Sequence, residues 1–109
     1  MSINKTHKYE EAEPFFELGG SVVMILGAEA AISVCLLAAS RGRVVARVEG
    51  GIWHSPGFEA RVDCIWDGID PPTSREQADE NNQLAAQFIR DEAGVHDSFV
   101  ITAPTIDGW

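Results

Sequence analysis

Between Arg43 and Asp67 the chain alternates. In the second half of this stretch Phe58, Ala60, Val62, Cys64 and Trp66 fall on one side, with Glu59, Arg61 and Asp63 between them. That is the period of two of a strand with one buried face. In the first half Val44, Ala46, Val48 and Ile52 form the apolar set, against Arg43, Arg47 and Glu49. Ser55-Pro56-Gly57 joins the two runs, and a glycine there supplies the backbone freedom of a tight turn. The pattern predicts a hairpin over residues 43–66. Gly50-Gly51 interrupts its first strand, and a bulge is the plain reading.

A helical period follows. Pro71-Pro72 forbids regular pairing, and Thr73-x-x-Glu76 fits a capping box, with Ser74-x-x-Gln77 as an alternative start. Ala78, Asn81, Leu84, Ala85 and Phe88 make one stripe, Ile89 beside it, while Glu76, Asp79, Glu80, Gln83, Gln87 and Arg90 face away. A helix is therefore expected over about 73–93. Ser21–Leu26 and Ser98–Ala103 read as short strands. Residues 29–40 fit two structures: their alanines suit a helix, whereas Ile32 and Val34 are β-branched. The run between Gly27 and the Ala39–Gly42 turn has too few charges for a solvent face and is read as a strand. The expected fold class is α+β: a mostly antiparallel sheet around the hairpin, with one main C-terminal helix packed on it. A helix at 29–40 would instead give the ferredoxin-like βαββαβ order. Residues 1–13 are polar and are read as a loose arm of a single domain spanning 1–109.

Composition changes this picture little. The chain is 45% hydrophobic and 23% charged, as in ordinary soluble domains. The start lacks an apolar signal region, and Gly27 and Glu29 break the most apolar segment, so a cytoplasmic protein is expected. Cys35 and Cys64 read as buried thiols, and a disulfide between them is left open. Charge says more. From Met1 to Val62 seven acids meet six bases, a balance of −1; from Asp63 onward ten acids meet Arg75 and Arg90, a balance of −8. Such a field repels nucleic acid and attracts basic proteins.

Candidate chemistry is sparse. His54, Cys64, His96 and Asp63 could ligate a metal, but they share no ligand spacing, and a site would need separate segments to converge. No metal, cofactor or catalytic residue is expected. His54 beside Ser55 points to the opposite strand face, so the two cannot form a dyad. The many carboxylates flank turns or a wet helix face, the wrong setting for an acid–base pair. Trp53 shares the parity of Arg47 and Glu49, and Trp109 ends a polar tail; tryptophan beside steering charge suits a binding hot spot.

A small acidic chain with a modest sheet, one capped helix and no catalytic set resembles the immunity proteins of bacterial toxin–immunity systems, those of contact-dependent inhibition and of bacteriocins. Asp63, Asp67, Asp70, Glu76, Asp79 and Glu80 carry the resemblance. It implies a basic toxin domain as partner, a nuclease among the candidates, and neither nucleic acid nor membrane. The expected contact residues are those six acids with Trp53 and Trp109. A second reading is a small-molecule-binding or enzymatic domain with a pocket near His54 or His96. A third is a subunit that pairs with itself through an edge strand.

Overall fold

The computed structural model describes residues 3–54 and 57–108, with the side chain of residue 62 set aside. The Ser55-Pro56 part of the hairpin turn and the expected contact Trp109 lie outside the described residues. In chain order the elements are β1 (Lys8–Tyr9), α1 (Glu13–Leu18), β2 (Ile25–Gly27), α2 (Ala28–Ala38), β3 (Arg47–His54), β4 (Gly57–Asp67), α3 (Arg75–Glu92) and β5 (Ser98–Thr102). One five-stranded sheet has the order β1-β2-β5-β3-β4. Only β1 and β2 are parallel; the remaining neighbours are antiparallel. The fold is α+β, with the C-terminal helix packed over a mostly antiparallel sheet.

Residues 29–40 are a helix, not a strand. Ala30, Ala31, Val34, Cys35 and Ala38 are buried in the core they share with α3 and the sheet. Leu36 and Leu37 stay partly exposed. A helix with apolar residues on both faces carries no charged stripe, which is why its period is hidden. The order from β2 to β5 is thus strand–helix–strand–strand–helix–strand. It interleaves two split units: β5 lies between β2 and β3, and β3 lies between β5 and β4.

The strand expected at Ser21–Leu26 is shorter and later. Val22 takes a left-handed φ of 63°, a conformation a β-branched residue rarely adopts, and its N–H donates to Ile101 O at 3.0 Å. Pairing therefore begins only at Ile25. Lys8 and Tyr9, in the segment read as a loose arm, pair with Ile25 and Leu26 at the sheet's edge.

The hairpin forms, but its alternation does not run unbroken through β4. Val48 pairs with Trp66 and Glu49 with Ile65, yet Gly51 pairs with Ala60 and Trp53 with Phe58. Residues 61–64 thus stand opposite Gly50 alone. This bulge reverses the parity of β4, so Phe58 lies on the face of Trp53 while Cys64 lies on the core face. A side chain at Gly50 would collide with Cys64 Sγ and crowd Phe99, so only glycine leaves room for the buried thiol.

Helix α3 starts one residue later than the favoured cap. Ser74 is the N-cap, and its hydroxyl accepts from Gln77 N at 3.1 Å. Ala78, Ala85, Ala86 and Ile89 are buried. Burial of a side chain such as Ile89 stabilises by about 1.5–3 kcal/mol.

Candidate functional site

Two adjacent amides fix the first half of α3. Asn82 Oδ1 accepts from Val45 N at 2.8 Å, and Asn82 Nδ2 donates to Arg43 O at 3.2 Å. Asn81 Nδ2 donates to Val45 O at 2.8 Å, while Asn81 Oδ1 accepts from Ile69 N at 2.9 Å. Both side chains are buried, so these bonds are made where water cannot compete. They clip the helix to the segment entering β3 and to the loop leaving β4. Sequence pattern places Asn81 on the apolar stripe and misses Asn82. The signal was the Asn-Asn pair itself, an unusual choice at a helix position that must face the core.

This clip turns the opposite side of α3 to solvent beside the end of β4. Asp67, Asp70, Glu76, Asp79 and Glu80 are all exposed there. Asp67 Oδ1 lies 3.5 Å from Arg47 Nη1. Asp70, Glu76, Asp79 and Glu80 form no ion pair among the described residues. Asp79 instead accepts from Gln83 Nε2 at 2.8 Å. Asp63 is exposed but stands apart, in the bulge of β4.

Trp53 is not beside the corner. It sits near the far end of the hairpin, six residues from Arg47, a span of about 20 Å along the strand. It is half-buried, on the sheet face that α2 and α3 leave open. Phe58 is its cross-strand partner, and partly exposed Ile65 lies on the same face, paired with Glu49. The main-chain N–H of Trp53 donates to Asp97 Oδ1 at 2.8 Å, and Ser98 Oγ donates to the same atom at 3.0 Å. Burial pushes the Asp97 carboxyl up, but these donors and the charge of Lys8 outweigh it and hold it below 3.8. His54 lies at the rim of the hairpin, 2.6 Å from Glu59 Oε1.

A second acidic region was not foreseen. Glu10, Glu11, Glu13 and Glu29, with Ala12, Ala30, Ser33 and Leu37, line an open cleft of about 330 Å³ between the β1–α1 segment and α2. Glu13 Oε1 lies 2.6 Å from Arg41 Nη2, and Glu10 Oε2 lies 3.6 Å from Lys8 Nζ. Summed along the chain, these acids cancel against nearby bases, so the charge count passes over them.

Of the candidate metal ligands, Cys64 and His96 do converge, and Glu92 joins them. Their ligand atoms all lie within 4.8 Å of one another. His54 and Asp63 are not part of the group. The Glu92-x-x-x-His96 spacing was the available signal, because residues four apart lie over one another at a helix end. Both cysteines are free and buried. Burial pushes the Cys35 thiol up to about 12, and burial together with Glu92 pushes Cys64 up to about 11. Neither is a poised nucleophile.

Among the described residues no helix is long and apolar enough to cross a membrane. The model of the colicin-E5 Imm protein family matches residues 24–104, and the chain belongs to that family. It is 60% identical over 109 residues to the immunity protein CdiI of Burkholderia pseudomallei, covering the whole of both chains. It is 35% identical over 80 residues to the colicin-E5 immunity protein of Escherichia coli, covering 72% of this chain and 96% of that one. This is an immunity protein of a toxin–immunity system, and its relatives are inhibitors rather than enzymes.

Proposed function

We propose that this protein neutralises a cationic toxin domain in the cytoplasm by laying the corner between β4 and α3, together with the open sheet face, over the toxin's active cleft. The observation that carries the reading is the set Asp70, Glu76, Asp79 and Glu80: four exposed carboxylates that form no ion pair among the described residues. A cleft that binds phosphates is lined with lysine and arginine, so a nuclease is the toxin chemistry such a surface matches. Unpaired surface charge acts over a Debye length of about 8–10 Å and speeds encounter more than it deepens affinity. Trp53 and Phe58 then offer the apolar contact that slows release. The acids around the corner serve as the steering set, with Asp67 at its margin and Asp63 apart from it in the bulge.

The test is association kinetics. The double variant Asp70→Lys/Glu76→Lys is mixed with a toxin domain that the wild-type chain binds, at low and at high salt. The expected result is an association rate lowered about tenfold or more at low salt, with a flattened salt dependence. An unchanged rate at both salt concentrations rejects the reading.

A further inference from the structure

Three parts of the fold meet where β4 bulges. Cys64 comes from the bulge itself, Glu92 from the last turn of α3, and His96 from the turn that leads into β5. Cys64 is fully buried and His96 is 7% exposed. The Glu92 side chain is 33% exposed and opens the group to solvent on one side. One thiol, one imidazole and one carboxylate, facing one another at this range, make a mixed sulfur, nitrogen and oxygen donor set.

A hydrogen-bonded cluster explains only part of this. Cys64 Sγ faces the Glu92 carboxylate, which together with burial keeps the thiol protonated. His96 Nδ1 is left over. It is buried, and although it lies 3.2 Å from Glu92 Oε1, it makes no hydrogen bond to any described group. A buried imidazole nitrogen in that state has given up its water without gaining a partner. A cation among the three side chains would supply one.

We propose that Cys64, Glu92 and His96 bind one divalent cation of zinc's chemistry. Thiolate and imidazole together favour zinc over the harder magnesium and calcium. Tetrahedral zinc with bonds of about 2.0–2.3 Å holds its ligand atoms about 3.3–3.8 Å apart, inside the 4.8 Å over which the three donors lie, and Glu92 Oε1 and His96 Nδ1, at 3.2 Å, already stand close to that separation. The exposed side at Glu92 leaves the fourth position to water. Gly50 takes part indirectly, since its missing Cβ is what lets the thiol enter the group. The bound ion would tie the bulge to the end of α3. Asp97, next to His96, already holds the main chain of Trp53, so the tie continues into the open sheet face. This site stands independently of any toxin contact.

The experiment uses the full chain, stripped of metal and kept reduced, and titrates it with cobalt(II) and then zinc. The expected result is a thiolate-to-cobalt charge-transfer band that saturates at one equivalent and is displaced by zinc. Zinc should also raise the melting temperature by several degrees once in excess over Kd. Cys64→Ser should abolish the band, and Glu92→Gln and His96→Gln should each weaken binding at least about 100-fold, more than an outer-shell change. Cys35→Ser should retain the full band. Circular dichroism of the metal-free variants separates lost ligation from lost fold, and Glu92→Gln, at a partly exposed position, keeps the test open if a core variant unfolds. The absence of a thiolate band in the wild-type protein overturns the proposal, as does a band that survives in Cys64→Ser.

Discussion

Two acidic regions of this molecule differ in what opposes their charge. At the corner between β4 and α3 the acids project from a helix start and a loop, and Asp70, Glu76, Asp79 and Glu80 form no ion pair among the described residues. In the cleft against α2 the acids line a concavity, and Arg41 and Lys8 hold Glu13 and Glu10. The corner acids named above are exposed and unpaired among the described residues; the cleft is concave and half neutralised. They also differ in extent within the family. The corner falls inside the matched residues 24–104, whereas Glu10, Glu11 and Glu13 precede them. The lesson is that a count of acids locates a field only when the bases that fold against them are counted too.

The largest expected effect sets one region against the other. Reversing Asp70 and Glu76 should slow toxin association about tenfold at low salt, as argued above. Reversing Glu11 and Glu29, the two cleft acids without an ion pair, should change it less than about twofold. Equal losses from the two double variants would break the distinction between the regions. Next is the apolar contact. Trp53→Ala should raise the dissociation rate about 30-fold, the equivalent of about 2 kcal/mol at a hot spot, and leave the association rate unchanged. A change in association instead would place Trp53 in the steering step.

The corner depends on the two asparagines that orient it. Asn82→Ala leaves Val45 N–H and Arg43 C=O without their partner in a buried setting. The cost should be about 1–3 kcal/mol, seen as a melting temperature lower by roughly 4 °C or more per kcal/mol. If thermal unfolding matches wild type, the amides do not hold the helix.

Much of this frame was legible. The hairpin and α3 announce themselves because each has one wet face, so polar and apolar residues alternate at the period of the element. Helix α2 was hidden for the converse reason: Leu36 and Leu37 remain apolar where a solvent face should carry charge. The bulge at Gly50 was foreseen, yet its consequence was not, because residues 61–64 are the extra ones and nothing in a single strand marks which partner loops out. The charge of the acids was legible and their geometry was not. Trp53 and Asp67 belong to one hairpin in sequence but to its opposite ends in space. Cys64 and His96 were weighed as metal ligands and set aside, because bringing them together required the register of β4 against β3, which composition does not encode.

The smallest effect is the sharpest test of the cleft. The Arg41 guanidinium pairs with Glu13 at 2.6 Å and lies over the Phe16 ring, 4.6 Å from its centroid. Both partners of the ion pair are largely exposed, so it should contribute no more than about 1 kcal/mol, and the stacking adds about as little. Arg41→Ala should therefore lower the melting temperature by only a few degrees. It also frees Glu13 and makes the cleft more negative by one charge. If the cleft takes no part in steering, toxin association in this variant stays within about twofold of wild type at low salt. An acceleration that salt abolishes would mean that the cleft is a binding region whose charge Arg41 holds in check, and the corner would lose its privileged place.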